Sequence, residues 1–322
     1  MCGRPMQRWG RTSTGKIRWF CRFCVQTRTQ RRADTADRWA LRLFRKWLIG
    51  TESLVSIAAD TNCTIQTLLN RFSDFWDNLP RPIIPQSLTD KHLSVDAVYL
   101  EGHNECVLIG RAGGDCVFWD FARQESLSAW LGFMQSLPKP RALVCDGQSG
   151  LFSAVKTLWP DLPIQRCLAH IQRLGVQRLT MRPKTPAGQE LLRLVYALHG
   201  VETDSDKRQW LADFAAWGTR WERFLKERTY GLHPSGSRNW WYTHRRIRAM
   251  KKTLQQSLDS LFVHIDMPGV PRTTNEVEGG INSRLKELLH RHRGMSLVHR
   301  KAVVAHFLDS RNVPQKPTRN FN

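Results

Sequence analysis

At 322 residues, 41% of them apolar, the chain is long enough for two or more domains and a sizeable core. It carries 49 Lys and Arg against 28 Asp and Glu, a net charge of +21 at pH 7. No run of about 18 apolar residues exists, so no membrane-spanning helix is expected, and the N-terminus lacks the apolar segment of a secretory signal. A cytoplasmic location follows. Eight irregularly spaced cysteines suit reduced thiols or metal ligands better than a disulfide framework. The charge gathers at the ends: residues 1–50 hold 13 Lys and Arg against two Asp, and residues 280–322 hold nine against Glu287 and Asp309. A polyanion, nucleic acid first, is the natural partner.

Cys21 and Cys24 form a C-x2-C knuckle, separated from Cys2 by a polar turn flanked by Trp9, Ile17, Trp19 and Phe20. This resembles a zinc ribbon, in which two knuckles supply four thiolates to a tetrahedral ion. Only Cys2, Cys21 and Cys24 are available, so residues 1–33 read as a partial ribbon, with zinc expected only if a ligand upstream of Cys2 completes the set. Residues 34–79 read as helices. "RWALRLFRKWLIG" is amphipathic and ends at Gly50. "SLVSIAADTNCTIQTLLNRFSDFW" reads as helix, polar turn over 60–62, helix, the layout of a helix-turn-helix. Thr64 or Cys63 opens its second helix, whose Thr64, Gln66, Asn70 and Arg71 can face a DNA groove. Such pairs also occur simply as packing units. The proline-rich residues 80–90 read as a linker.

A different texture begins there. Residues 92–100, 106–112 and 115–122 read as three strands joined by short turns. A helix follows over 126–137, then a buried strand over 141–147, a helix over 150–159, and a strand over 163–171 that leads into another helix. The order βββαβαβα describes an antiparallel meander continued by parallel strands. Residues 184–266 read as an all-helical insertion rich in Trp, Arg and Lys, after which residues 267–310 return to the sheet. Residues 311–322 form a basic tail.

Two acids occupy costly places. Asp96 lies inside "LSVDAVYL" and Asp146 ends "ALVCDG". A lone carboxylate among apolar strand neighbours is disfavoured unless a charge or a metal partners it. Either alone could face solvent or cap a turn. This strand order puts the first and fourth strands side by side, so both can face one site. Near the end, "RTTNEVEGGINSRLK" opens an amphipathic helix over 275–292. Asn275 is a fair N-cap with Glu278 as the capping-box carboxylate, and Thr273 with Glu276 offers the same pattern one step out of phase. Residues two apart on a helix point about 200° apart, so Glu276 and Glu278 cannot both face the aspartates.

"SVDAVYL", "LVCDGQSGL", "CLAH" and "TTNEVEGGINSRLK", with "HRHRGM" behind, together resemble DDE transposases of the Mutator-type group and its bacterial insertion-sequence relatives. The resemblance covers residues 90–305. It implies a mixed α/β, ribonuclease-H-like catalytic core interrupted by the helical insertion, which the partial zinc ribbon and helix-turn-helix read above would precede. It implies Asp96, Asp146 and Glu278 as the catalytic, metal-binding acids, the TN-x-x-E pattern selecting Glu278 over Glu276. Cys167 and His170, the C-x2-H element, and Asn275 are implied near the site. The implied cofactor is a pair of Mg²⁺ ions, with Mn²⁺ able to substitute. Hard ions of this kind take carboxylate oxygens and activate in-line phosphodiester displacement.

The implied partners are double-stranded DNA of element ends and target, bound by a homodimer or larger assembly in a bacterial nucleoid. Arg245, Arg246, Arg284, Lys286, Arg291 and Arg293 are expected on phosphates. Trp240 and Trp241 are candidates for base stacking, with core packing as the simpler alternative. A catalytically silent, transposase-derived DNA-binding protein is the second reading, because the cysteine set is incomplete.

Overall fold

The computed structural model describes residues 5–13, 15–29, 33–100, 104–113, 116–232 and 238–312. The chain divides into two units, residues 1–79 and 80–322. In the first, β1 (Gln7–Arg11), β2 (Ile17–Phe20) and β3 (Thr27–Arg28) form a small antiparallel sheet. Cys21 and Cys24 lie in the turn between β2 and β3, where the Cys21 N–H donates to the Gln26 carbonyl. Cys2 lies outside the described residues, so the structure supplies two of the three proposed zinc ligands and no completed set.

Helices α1 (Ala33–Leu48), α2 (Leu54–Thr61) and α3 (Ile65–Asp77) follow. In α1, Ala40, Leu43, Phe44 and Leu48 recur at helical spacing and are all buried. Their counterparts are Ile57 and Ala58 of α2 and Leu68 and Phe72 of α3. The Phe44 ring meets Phe72 at 5.4 Å and Trp76 at 5.0 Å, both edge-on. Between α2 and α3 the chain reverses through Asn62, which adopts the left-handed conformation at φ 52° that Asn tolerates. Thr64 caps α3, accepting the Thr67 N–H at 3.1 Å.

The second unit is built on a five-stranded sheet. Its strands are β4 (Leu88–Tyr99), β5 (Cys106–Ala112), β6 (Cys116–Ala122), β7 (Pro140–Cys145) and β8 (Ile164–Arg166), in the spatial order β6-β5-β4-β7-β8. β4 pairs antiparallel with β5 and parallel with β7, so the expected first and fourth strands are central neighbours. Strand β4 begins at Leu88, inside the segment expected as linker. Helices α4 (Leu127–Gln135) and α5 (Ser149–Leu158) cover one face. Val95, Leu108, Phe118, Leu143 and Cys145 of the sheet meet Trp130, Phe133, Leu151 and Val155 there. Strand alternation sends Val144 to the opposite face, against Val270.

Helix α6 (Leu168–Leu179) leads into the insertion: α7 (Pro186–Ala197), α8 (Asp204–Arg220), α9 (Glu222–Lys226), β9 (Arg228–Leu232), β10 (Arg238–Tyr242), α10 (Arg245–Leu261) and α11 (Val263–Asp266). The expectation of an all-helical insertion is therefore corrected: β9 and β10 form an antiparallel hairpin within it. Its strands are rich in aromatic residues, and Arg228 stacks over Trp240 at 4.0 Å while Arg248 stacks over Tyr242 at 3.5 Å. The helices of the insertion enclose a core of their own around Trp210, Phe214 and Trp217, whose indole N–H groups at 210 and 217 donate to the Leu194 and Ala187 carbonyls. Buried Gln165 of β8 ties this body to the sheet through the Leu261 carbonyl and the His264 N–H.

After the insertion come α12 (Asn275–Val277), a π-helical turn over Glu278–Asn282, α13 (Ser283–Arg291) and α14 (Leu297–Arg311). No helix among the described residues is long and apolar enough to cross a membrane. Phe44→Ala removes a fully buried ring from the α1–α3 core. It is expected to cost about 3–5 kcal/mol, read as a lower urea midpoint for the full chain followed by tryptophan fluorescence.

Candidate functional site

Asp96 and Asp146 come together by register. Ser94 of β4 pairs with Val144 of β7, so two residues further on the same pleat brings Asp96 beside Asp146, which lies one residue past its strand. Both belong to the face opposite α4 and α5, since Val95 and Cys145 point into that helix-covered core. Asp96 Oδ1 accepts the Ala97 N–H at 2.9 Å, and Asp96 Oδ2 accepts an N–H of Asn282 at 2.7 Å. Asp146 Oδ1 accepts the Gln148 N–H at 3.0 Å, and its carbonyl accepts from Arg166. The turn depends on Gly147. Its φ is +96°, and a Cβ there would lie 2.3 Å from the Arg166 guanidinium.

Burial pushes the Asp96 carboxyl up to about 6, with the charges of Asp146 and Glu278 adding to the rise and the Ala97 N–H opposing it. Among the described residues no Lys or Arg forms an ion pair with either aspartate. Two crowded carboxylates, one of them desolvated, suit a hard divalent cation of the magnesium type. A further acid belongs to this field. Burial, then the charges of Asp146 and Asp96, push Glu125 up to about 7. Its carbonyl accepts from the Gln148 side chain at 2.7 Å.

Glu278 approaches from the late helix, and its partners are cations and donors. Its Oε1 accepts the Thr274 hydroxyl at 2.6 Å and lies 3.2 Å from His170 Nδ1, while its Oε2 lies 2.7 Å from Arg173. Burial alone would raise its pKa, but the Thr274 and Arg173 contacts and the charges of His170 and Arg173 hold it below the usual range. The Cys167 Sγ accepts both the N–H and the hydroxyl of Thr274 at 3.3 Å. Burial favours its thiol form, yet these bonds and His170 outweigh it and lower its pKa. The contact with Cys167 correspondingly raises His170 against its own burial.

The expected capping arrangement is corrected. Thr274 is the residue before the helix and makes no side-chain cap bond; its hydroxyl goes to Glu278 instead. Asn275, implied near the site, is exposed in the first turn, whereas its neighbour Thr274 is buried. Glu276 points the other way, its carboxylate 3.7 Å from His92 and its carbonyl accepting from Arg111 at 2.9 Å. The π-helical turn, a distortion frequent at functional sites, carries Glu278 at its start and Asn282 at its end. Gly280 sits where a Cβ would be 3.1 Å from Arg111.

Thr274, Asn282, Arg173 and Glu125 were not singled out from sequence. Spacing offers a signal for the first two, which lie four residues to either side of Glu278; Glu125 offers none. In the N-terminal unit, Thr64 is used as a cap, Gln66 and Asn70 bond each other at 2.8 Å, and Arg71 lies 5.2 Å over Trp39. Arg245, Arg284, Lys286, Arg291 and Arg293 are exposed, and Arg246 donates to the Gln177 carbonyl. Trp240 and Trp241 are 43% and 37% exposed, which corrects the core-packing alternative.

Residues 115–229 match the family described as "Transposase, Mutator family", a segment that contains Asp146, Cys167 and His170 but neither Asp96 nor Glu278. Over 123 residues the chain is 26% identical to a probable transposase for insertion sequence element of Corynebacterium diphtheriae, covering 35% of each. It thus matches about a third of that relative's length. It is also similar to a chain in the cryoEM structure of the simian T-cell lymphotropic virus intasome in complex with PP2A regulatory subunit B56 gamma. That likeness has 11% identity over 68% of this chain and 76% of that one, at a TM-score of 0.20, too low to carry an argument.

The Asp96 carboxyl rises from 3.8 to about 6 on folding. An acid raised in this way holds its proton more tightly when folded, so its contribution is intact below pH ~4 and is lost as pH climbs through ~6. In metal-free buffer, Asp96→Asn is expected to raise stability at pH 8 by about 1–3 kcal/mol and to change it little at pH 4. Thermal unfolding at both pH values checks this; a loss of stability at pH 8 contradicts the burial account.

Proposed function

From the match of residues 115–229 to the Mutator family of transposases we propose that the chain is a DNA transposase of the insertion-sequence type. It binds the ends of its own element, nicks them, and joins the freed 3′-OH to target DNA. The observation that carries this reading is the paired Asp96 and Asp146 on one face at the centre of the sheet, the first pushed to about 6 and neither ion-paired among the described residues. The sheet order, an antiparallel meander extended by two parallel strands, supports a ribonuclease-H-like core.

Divalent ions of the magnesium type, held by Asp96 and Asp146 with Glu278 as the third carboxylate, would neutralise charge on the phosphoryl oxygens during displacement. In the nicking step a water oxygen bonds to phosphorus, the P–O3′ bond breaks, and the leaving 3′-oxygen takes a proton. In the joining step that 3′-OH attacks a target phosphodiester, whose own 3′-oxygen leaves. The protein's part is placement. Asn282 and the Ala97 N–H hold the plane of Asp96. The Gln148 N–H holds Asp146, and Thr274 and Arg173 hold Glu278. The exposed cations of α13 and the Trp240–Trp241 hairpin suit phosphate binding and base stacking, and α3 suits a DNA groove.

Purified full-length protein is expected to nick duplex DNA carrying the flanks of its own gene when Mg²⁺ is added. Asp96→Asn, Asp146→Asn and Glu278→Gln should each lower the rate by about a thousandfold or more, leaving gel-shift affinity within about threefold. Binding without nicking by the wild type defeats the enzyme reading and leaves a DNA-binding protein.

A further inference from the structure

Beside the aspartate pair lies a second donor set of different chemistry. Cys167, His170 and Glu278 present one sulfur, one nitrogen and one oxygen, all within 4.8 Å of one another. Cys167 is the residue before α6 and His170 lies three further on, which puts both on one side of its first turn. The late helix delivers Glu278 to the same point. Four-coordinate zinc takes thiolate at ~2.3 Å and imidazole or carboxylate at ~2.0–2.2 Å, which at tetrahedral angles leaves donor atoms roughly 3.2–3.8 Å apart. His170 Nδ1 and Glu278 Oε1 are already 3.2 Å apart. That Nδ1 is buried and makes no hydrogen bond of acceptable geometry. The surroundings also suit a thiolate ligand. Cys167 Sγ accepts two hydrogen bonds from Thr274, and Arg173 occupies Glu278 Oε2, leaving Oε1 turned inward beside the Thr274 hydroxyl.

We propose that Cys167, His170 and Glu278 form a binding site for one borderline-soft divalent ion of the zinc class, separate from the hard-ion pair Asp96 and Asp146. The site supplies three protein ligands and leaves a fourth position for water. Glu278 belongs to both sets, so zinc withdraws the third carboxylate and lowers Mg²⁺-dependent nicking; this consequence rests on the transposase reading above.

Cobalt(II) reports the site without any activity. The full-length chain carrying C2S, C21S and C24S, which silences the N-terminal thiols, is titrated with Co²⁺. One equivalent should bind with a thiolate-to-cobalt charge-transfer band that Zn²⁺ abolishes. Cys167→Ser should remove the band, and His170→Gln should weaken binding at least tenfold. Cobalt bound without the band, a band that survives Cys167→Ser, or an affinity unmoved by His170→Gln each overturns the site. His170 is only partly buried, so that variant decides the matter if Cys167→Ser does not fold. In a separate arm, zinc is added to wild-type protein nicking DNA in Mg²⁺. The rate should fall as the first equivalent binds, and an unchanged rate overturns the competition. A protein that shows the band but never nicks DNA defeats the transposase reading and leaves the metal site standing; one that nicks without the band does the reverse.

Discussion

A carboxylate in the middle of a sheet covered on both faces is the constraint around which the second unit is arranged. Strand β4 is central, with β5 and β7 on its flanks, and its neighbours Val95 and Val98 are fully buried. Asp96 enters that strand at the cost of its hydration, which is why its pKa climbs to about 6. The surrounding architecture answers the cost without cancelling it. One N–H comes from the adjacent backbone and another from Asn282 on a distant helix, while the charges of Asp146 and Glu278 add to the rise and that of His170 opposes it. A fold that wanted only stability would place an apolar residue there. Retaining the acid keeps a patch of negative potential where the sheet meets the late helix.

Hydrogen bonds hold the late helix to that patch, alongside its buried Val277 and Ile281. The Leu168 N–H donates to the Arg272 carbonyl, Thr274 bonds Cys167 twice, and the same hydroxyl reaches Glu278. Thr274 is fully buried and its two bonds to Cys167 form away from water, so an unmet partner there would be expensive. The π-helical turn carries both contacts: Glu278 at its start meets His170 and Arg173, and Asn282 at its end reaches Asp96.

The insertion adds a separately packed body beside the sheet. Its Trp-rich core is distinct from the one between the sheet and α4 and α5. Among the groups that couple them are Gln165, which bonds both Leu261 and His264, and Arg166, which reaches the Asp146 carbonyl and Ser257. Arg166 therefore links the turn after β7 to α10. The aromatic hairpin of β9 and β10 stands on the same body, with its rings exposed and braced by arginines.

Local pattern alone determined a good deal of this protein. Strand texture, the order of elements, the helices of the N-terminal unit and the adjacency of Asp96 and Asp146 follow from alternation, helical spacing and the rules of strand connection, all of which act over a few residues. The opposite facing of Glu276 and Glu278 follows from helix geometry. Other features required distant segments to meet. The hairpin at Trp240 was hidden because two five-residue strands set among Arg- and Lys-rich helices show too little alternation to stand out until they pair with each other. Asn282, Arg173 and Glu125 were hidden because their importance lies in what they face. The family resemblance implied Glu278, Cys167 and His170 near one site, but local pattern could not show that they touch, since Cys167 and His170 lie more than a hundred residues from Glu278 in sequence. Sequence carries the identity of each donor; only packing decides which donors share one small volume, because distance and desolvation are properties of the folded chain.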